Sequence, residues 1–328
     1  IQVNGFVVRD DCEEPSHPLS EGTVHDYLLK NGVPGISGVD TRAITRKLRS
    51  AGVMMGIITP NADVEIALAT LAKAPRYGEF DVVGDVSTDD IYAWNGDAGE
   101  ESRAFFDLRG RARQGGMGIN VERGIGQRDL GDNYMKVVVN DYGVKLNILR
   151  SLRARGCEVI VVPDNASAED ILGHNPDGVM LSPGPGDPEL LDRSVDTAKG
   201  LAGKVPMMGI CLGHQVIARA FGASTFKLHF GHRGGNQPVK DLESGRVYVT
   251  AQNHGYAVDP AGLPEAMEVS HINLNDQTVE GLRHRDMPIM TIQYHSEASP
   301  GPHDSEYLFD RFVGLIQAGQ AEKAAAKV

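Results

Sequence analysis

From residue 134 onward, apolar and polar positions follow one another in a regular order. KVVVNDYG is a short β-rich run, LNILRSLRARG carries apolar residues at helical spacing, CEVIVVP is a second run and ASAEDILGH a second helix. DGVMLSPGPGDP is a third run that ends in a turn rich in glycine and proline. Strand-like runs alternating with amphipathic helices predict βαβ units and a parallel sheet. A helix from Asp192 to Ala202 leads into VPMMGI, a continuous apolar run of the kind found in a strand covered on both faces. Cys211 follows directly, at the expected carboxyl end of a central strand, where open α/β sheets collect their sites. Downstream, RVYVTAQNHGYAV, TVEGLRH and PIMTIQYH read as strands and turns, before a C-terminal helix that begins near Asp304.

The first part of the chain is patterned less regularly. DTRAITRKLRSAG predicts a helix with Asp40 as N-cap, Ile44 and Leu48 on one face and Gly52 as the stop, and a second helix is expected from Asp63 to Ala74. Arg42, Arg46 and Arg49 share one side of the first helix and read as a solvated basic face. From Asn95 to Asn133 the composition shifts to glycine, arginine and acidic residues without helical or strand periodicity, which marks a linker. The expected organisation is therefore a smaller α/β domain at 1–94, a linker at 95–133 and a second domain at 134–328. That second domain is an open, mostly parallel sheet with helices on both faces. Because the first residue is Ile1 and IQVNGFVVRD already has strand character, the start of the first domain is expected to be missing.

Composition narrows the function. The 328 residues allow two domains of ordinary size, and a net charge of −12 leaves no electrostatic footprint for nucleic acid. No apolar run approaches the roughly 18 residues of a membrane span, so a membrane is not an expected partner and a cytoplasmic location is. Cys12, Cys157 and Cys211 are odd in number, far apart and free of any CxxC pattern, which argues against disulfides and thiolate metal sites.

Gly209-Ile210-Cys211-Leu212-Gly213 has the G-x-nucleophile-x-G form of a strand-to-helix elbow. Such a turn presents the nucleophile on a strained backbone, its glycines remove side chains that would collide, and the helix N-terminus favours a thiolate. It also aims the Leu212 amide at the site of a developing oxyanion. A cysteine nucleophile needs a base and the base an orienting group; IMTIQYHSEASPG offers His295 at a strand end and Glu297 two residues on. His214, His229, His232 and His254 are further candidates. HFGH would suit metal ligands at i,i+3, but no other ligand set converges in the sequence, and no metal is expected. Two glycine-rich turns, SPGPGDP and FGHRGGNQP, are expected to frame the nucleophile. Pro183, Pro185 and Pro188 remove amide donors, so the first turn suits a small polar substrate met by Gly184 and Gly186 rather than a nucleotide phosphate.

GICLGHQ, SPGPGDP, AQNHGYAV and YHSEASPGPHD together resemble the triad-type glutamine amidotransferases, and most closely the small subunits of carbamoyl phosphate synthetase, whose first domain GVDTRAITRKLR also resembles. The resemblance implies that Cys211 attacks the side-chain amide of L-glutamine while His295, oriented by Glu297, shuttles protons. It implies oxyanion amides from Leu212 and Gly184, and a glutamine pocket lined by Gly186, Gln215, Asn253, Gly255 and Tyr256. It further implies that ammonia passes to a large subunit that makes carbamoyl phosphate for arginine and pyrimidine synthesis. ATP and magnesium or manganese are then expected only on that large chain, with no cofactor in this one.

The sequence departs from that family in places. Ser296 stands where a proline is usual, which is expected to loosen the triad slightly, Tyr256 replaces a phenylalanine, and the linker is longer. The alternatives are the glutaminase component of another synthetase, a catalytically weak regulatory subunit, and a free-standing γ-glutamyl hydrolase.

Overall fold

The computed structural model describes all residues except 2, 19, 77, 79, 97–133 and 326–328. The expected linker falls almost wholly outside the described residues. The chain divides into two compact units, Ile1–Glu79 and Phe80–Val328.

The described residues of the first unit hold a two-stranded parallel ladder, β1 (Phe6–Val7) with β2 (Gly35–Ile36), and the helices α1 (Val24–Lys30), α2 (Thr41–Ala51) and α3 (Val64–Leu71). Asp40 caps α2 as its spacing predicts, accepting from the Ala43 amide at 2.9 Å. Asp63 accepts from the Glu65 and Ile66 amides at the start of α3.

The second unit is built on one ten-stranded sheet. In chain order its strands are β3 (Tyr92–Trp94), β4 (Met135–Asp141), β5 (Cys157–Pro163), β6 (Gly178–Leu181) and β7 (Met207–Ile210). They continue with β8 (Thr225–Asp241), β9 (Val247–Val258), β10 (Met267–Asn273), β11 (Val279–His284) and β12 (Ile289–Ile292). The spatial order is β3-β5-β4-β6-β7-β12-β11-β10-β8-β9. The expectation of a parallel sheet holds for the five central strands β5, β4, β6, β7 and β12. β3 and the run from β11 to β9 add antiparallel neighbours, so the sheet as a whole is mixed.

Residues 80–94, expected in the first domain, belong to the second unit because β3 pairs with β5 through Tyr92 opposite Val161. The Thr88 amide also donates to Asp141 at 2.9 Å. The strand signal in YAW is too short to reveal that pairing from sequence.

Side chains of the central strands alternate between two cores, as the pleat requires. Val138, Val179, Leu181 and Met207 face one core, with Ile171 of α5 (Ala168–Gly173), Val195 and Leu201 of α6 (Asp192–Leu201), and Val216 and Ile217 of α7 (Leu212–Ala220). Val137, Val139, Met180 and Met208 face the other, with Ile148, Leu149 and Leu152 of α4 (Leu146–Arg153) and Phe309, Phe312 and Ile316 of α8 (Tyr307–Ala325). Both faces are covered, which is why these runs read as continuously apolar.

One expectation is corrected. FGHRGGNQP is not a turn: it lies inside the long strand β8, whose register against β9 shifts between Lys227 and His232 and again between Gly234 and Gln237. The glycines mark bulges in a strand, a use that composition does not distinguish from a loop.

Candidate active site

Cys211 is the N-cap of α7 and the first residue after β7, with φ 53° and ψ −103°. A non-glycine residue with positive φ is strained, and the surrounding contacts must hold it there. Its amide donates to the Ile292 carbonyl at 2.8 Å, tying the nucleophile to the neighbouring strand β12. The flanking glycines are required by close approach. A Cβ on Gly209 would stand 2.5 Å from the Gly213 carbonyl oxygen, and one on Gly213 would stand 2.2 Å from that of Leu181. The elbow read from the sequence is therefore present, for the steric reason expected.

His295 lies three residues past β12 and is fixed by a bridge to β9, its amide donating to the Ala251 carbonyl at 2.8 Å. Its Nδ1 meets Glu297 Oε1 at 2.7 Å, and its ring makes a side-chain hydrogen bond with Cys211. Burial alone would push the imidazole pKa down; the Glu297 carboxylate and the Cys211 sulfur outweigh it and raise it to about 10. Glu297 is fully buried, which favours its neutral form, but His295 and Lys145 hold its pKa below the usual carboxylate value. Cys211, His295 and Glu297 thus form a connected series of thiol, imidazole and carboxylate, the order in which a nucleophile, a base and an orienting acid would be expected.

Three residues that the sequence pattern does not single out complete this geometry. Lys145 Nζ sits 3.1 Å from Glu297 Oε1 and also donates to the Ala298 carbonyl. Asn147 donates to the Glu297 carbonyl. Both open α4 just beyond β4, and the available signal was their place at the carboxyl edge of a parallel strand. Gln293 Nε2 reaches Cys211 Sγ at 3.6 Å. It stands two residues before His295, but a single glutamine just past an apolar strand carries little signal.

The expected pocket residues are distributed as follows. Gln215 donates to the Tyr256 carbonyl at 2.8 Å and to Gln293 at 2.9 Å, so Gln215, Tyr256 and Gln293 converge beside the nucleophile. A Cβ on Gly184 would stand 2.9 Å from Leu212 Cδ2 and 2.1 Å from the Tyr142 carbonyl oxygen, so the two expected oxyanion residues adjoin. Leu212 begins α7, and a first-turn helical amide has no partner within its own helix. Gly186 has φ +100° in the turn after β6. Gly255 is half-buried next to Tyr256, whereas Asn253 is exposed on β9 opposite Arg233, on the other face from buried Gln252, His254 and Tyr256. Ser296 is fully buried, and among the described residues its hydroxyl has no hydrogen-bond partner.

Two of the competing histidines have other surroundings. His214 is buried against Thr291 at 2.8 Å, and burial lowers its pKa to about 3. His254 is bonded to the Tyr256 carbonyl, and burial likewise lowers its pKa to about 3. Among the described residues, His232, His254 and Glu280 form a group whose ligand atoms lie within 4.8 Å of one another, outside the trio at Cys211.

Residues 137–315 match the family described as glutamine amidotransferase class-I, and residues 1–58 match the carbamoyl-phosphate synthase small chain, CPSase domain. The chain is 46% identical over 309 residues to the carbamoyl phosphate synthase small chain of Rhodopirellula baltica, covering 94% of this chain and 76% of that one. It is 45% identical over 324 residues to the corresponding protein of Synechocystis, covering 98% and 79%.

The chain belongs to the carbamoyl phosphate synthase small chain family.

A solved chain from Thermoplasma acidophilum, described as a component of GMP synthase, shares the fold with a TM-score of 0.51 at 23% identity, over 58% of this chain and 98% of that one. The carbamoyl phosphate synthase small chains match along nearly the whole length, the first unit included, whereas the solved structure matches little more than half.

Proposed function

We propose that this chain is the glutamine-hydrolysing subunit of carbamoyl phosphate synthetase, and that it supplies ammonia to a large ATP-dependent subunit. The observation that carries the catalytic assignment is His295, buried between Glu297 at 2.7 Å and the Cys211 side chain. Cys211 Sγ, its proton already held on His295 by the raised imidazole pKa, attacks the side-chain amide carbon of L-glutamine. The Leu212 and Gly184 amides receive the oxyanion; one such donor contributes on the order of a hundred- to a thousandfold in turnover. The C–N bond then breaks as His295 returns its proton to the departing ammonia, leaving a γ-glutamyl thioester on Cys211. Water, deprotonated by His295, attacks the thioester and releases glutamate with the thiol restored. Glu297 holds the imidazole in the orientation that both half-reactions need, and Lys145 holds Glu297. Gln215, Gly186, Gly255, Tyr256 and Asn253 are the residues proposed to line the glutamine pocket.

The test is glutamine hydrolysis by the purified chain with and without the large subunit, followed as glutamate and ammonia release. Cys211→Ala is expected to lower turnover at least about a thousandfold, because triad members act as a unit. Equal, slow release by wild type and variant in the presence of the partner would mean a regulatory subunit instead. Full activity that the large subunit does not change would mean a free-standing hydrolase.

A further inference from the structure

We propose that His232, His254 and Glu280 form a binding site for a zinc-type divalent transition-metal ion, behind the glutamine pocket and separate from the catalytic trio. The three come from β8, β9 and β11, which is why no spacing in the sequence brings them together.

Each histidine is already held as metal-bound imidazoles are, with one nitrogen engaged by an acceptor and the other directed inward. His232 Nε2 meets Asp276 Oδ2 at 2.7 Å, while its buried Nδ1 is directed at Glu280 Oε1, 3.4 Å away. His254 Nδ1 donates to the Tyr256 carbonyl at 2.8 Å, which leaves a lone pair on Nε2 of the neutral ring. That lone pair faces Gln252 Oε1 at 3.0 Å, and the Gln252 amide nitrogen is directed to Thr250 Oγ1 at 3.2 Å. Two acceptors opposed at that distance are stabilised by a cation between them. Glu280 is fully buried; its Oε1 accepts from Asn273 at 3.0 Å, and among the described residues its Oε2 has no hydrogen-bond partner.

The spacing fits a metal. His232 Nδ1 and Glu280 Oε1 are 3.4 Å apart, in contact but longer than the usual hydrogen bond. Ligands about 2.0–2.1 Å from a tetrahedral zinc ion lie roughly 3.3 Å from one another. Two imidazoles and a carboxylate are a zinc ligand set, and Gln252 Oε1 or water would complete it. The charge fits as well: the carboxylates of Glu280 and Asp276 face two imidazoles, so a divalent ion balances the group. A bound ion would also brace the pocket wall, because the Tyr256 carbonyl that accepts from His254 accepts from Gln215 too.

The test uses the untagged full chain carrying Cys211→Ser, which removes the catalytic thiolate as a rival ligand, after chelation and dialysis. Calorimetric titration with zinc is expected to show one equivalent bound, and magnesium none. His232→Ala should abolish binding, and Asp276→Asn should weaken it about 10- to 100-fold through loss of the outer carboxylate. Asp276 is partly exposed, so its variant also reports where His232→Ala fails to fold. Crystals of the parent chain grown with zinc should show anomalous scattering between His232, His254 and Glu280. No stoichiometric uptake, an anomalous peak elsewhere, or unchanged affinity in Asp276→Asn would overturn the site. In the first case a proton on His232 Nδ1 is the sole occupant.

Discussion

In the proposed mechanism Cys211, His295 and Glu297 divide the chemistry, and the charges of His295 and Glu297 are set by what touches them. His295 is raised to about 10 by an anionic neighbour despite burial, so neutralising that neighbour should be felt in the pH profile. Glu297→Gln is expected to move the alkaline limb of glutamine hydrolysis to lower pH and to cut turnover by about a hundred- to ten-thousandfold, the scale of proton-transfer catalysis. A pH–rate series on wild type and variant checks both parts; a rate loss with no movement of the limb would point to mere disorder. Ser296 behaves differently. Despite the expected loosening, the 2.7 Å contact on either side of it is intact, because the bridge to Ala251 and the bond from Asn147 fix the backbone around it. Its hydroxyl has no partner among the described residues, and an unsatisfied buried hydroxyl costs about 1–3 kcal/mol. Ser296→Ala should therefore raise the urea midpoint, by about 1 kcal/mol in unfolding free energy, with turnover unchanged.

At the scale of elements, the elbow is the part in which packing tolerates least. Gly213→Ala would drive a methyl against the Leu181 carbonyl, so α7 must shift away from β6. The expected result is a loss of about 3 kcal/mol or more in urea unfolding, together with lost glutamine hydrolysis as Cys211 moves with its helix. This element was legible in the sequence because its requirements are local: an apolar run, two glycines four apart, and a helix pattern. His295 and Glu297 were legible for the same reason, as neighbours at a strand end. Lys145, Asn147 and Gln293 were not, since their roles arise only when strands distant in sequence come side by side. The β8 glycines show the limit from the other direction: FGHRGGNQP has loop composition, and the antiparallel pairing with β9 overrides it. β3 was missed because three residues carry too little pattern to reveal a partner more than sixty residues away.

The molecule as a whole couples buried histidines of opposite kinds. Burial lowers His214 and His254 to about 3 and His271 to about 4, from 6.5 when exposed. Their folded forms stay neutral while the unfolded chain takes up protons, so stability is full above pH 6.5 and is lost as pH falls toward 4. His295 has the opposite sign: raised from 6.5 to about 10, it contributes stability fully present below pH 6.5 and lost as pH rises through about 10. Urea denaturation across pH should therefore give a maximum near pH 6.5, with the acid side falling by up to about 4 kcal/mol per pH unit where all three neutral histidines act together. The proposed catalytic residues hang on a simpler support. β7 and β12 are adjacent parallel strands with Ile210 opposite Ile292; the nucleophile is one residue beyond the first and the base three beyond the second. Backbone ladder spacing, rather than side-chain fit, sets their separation. Gradual substitution of core residues can therefore leave the catalytic distance alone, whereas a single codon inserted between positions 289 and 295 would turn His295 to the opposite face of the sheet. Away from the elbow glycines, drift in composition and drift in length therefore have very different consequences for this enzyme, and the second is the one that reaches its chemistry directly.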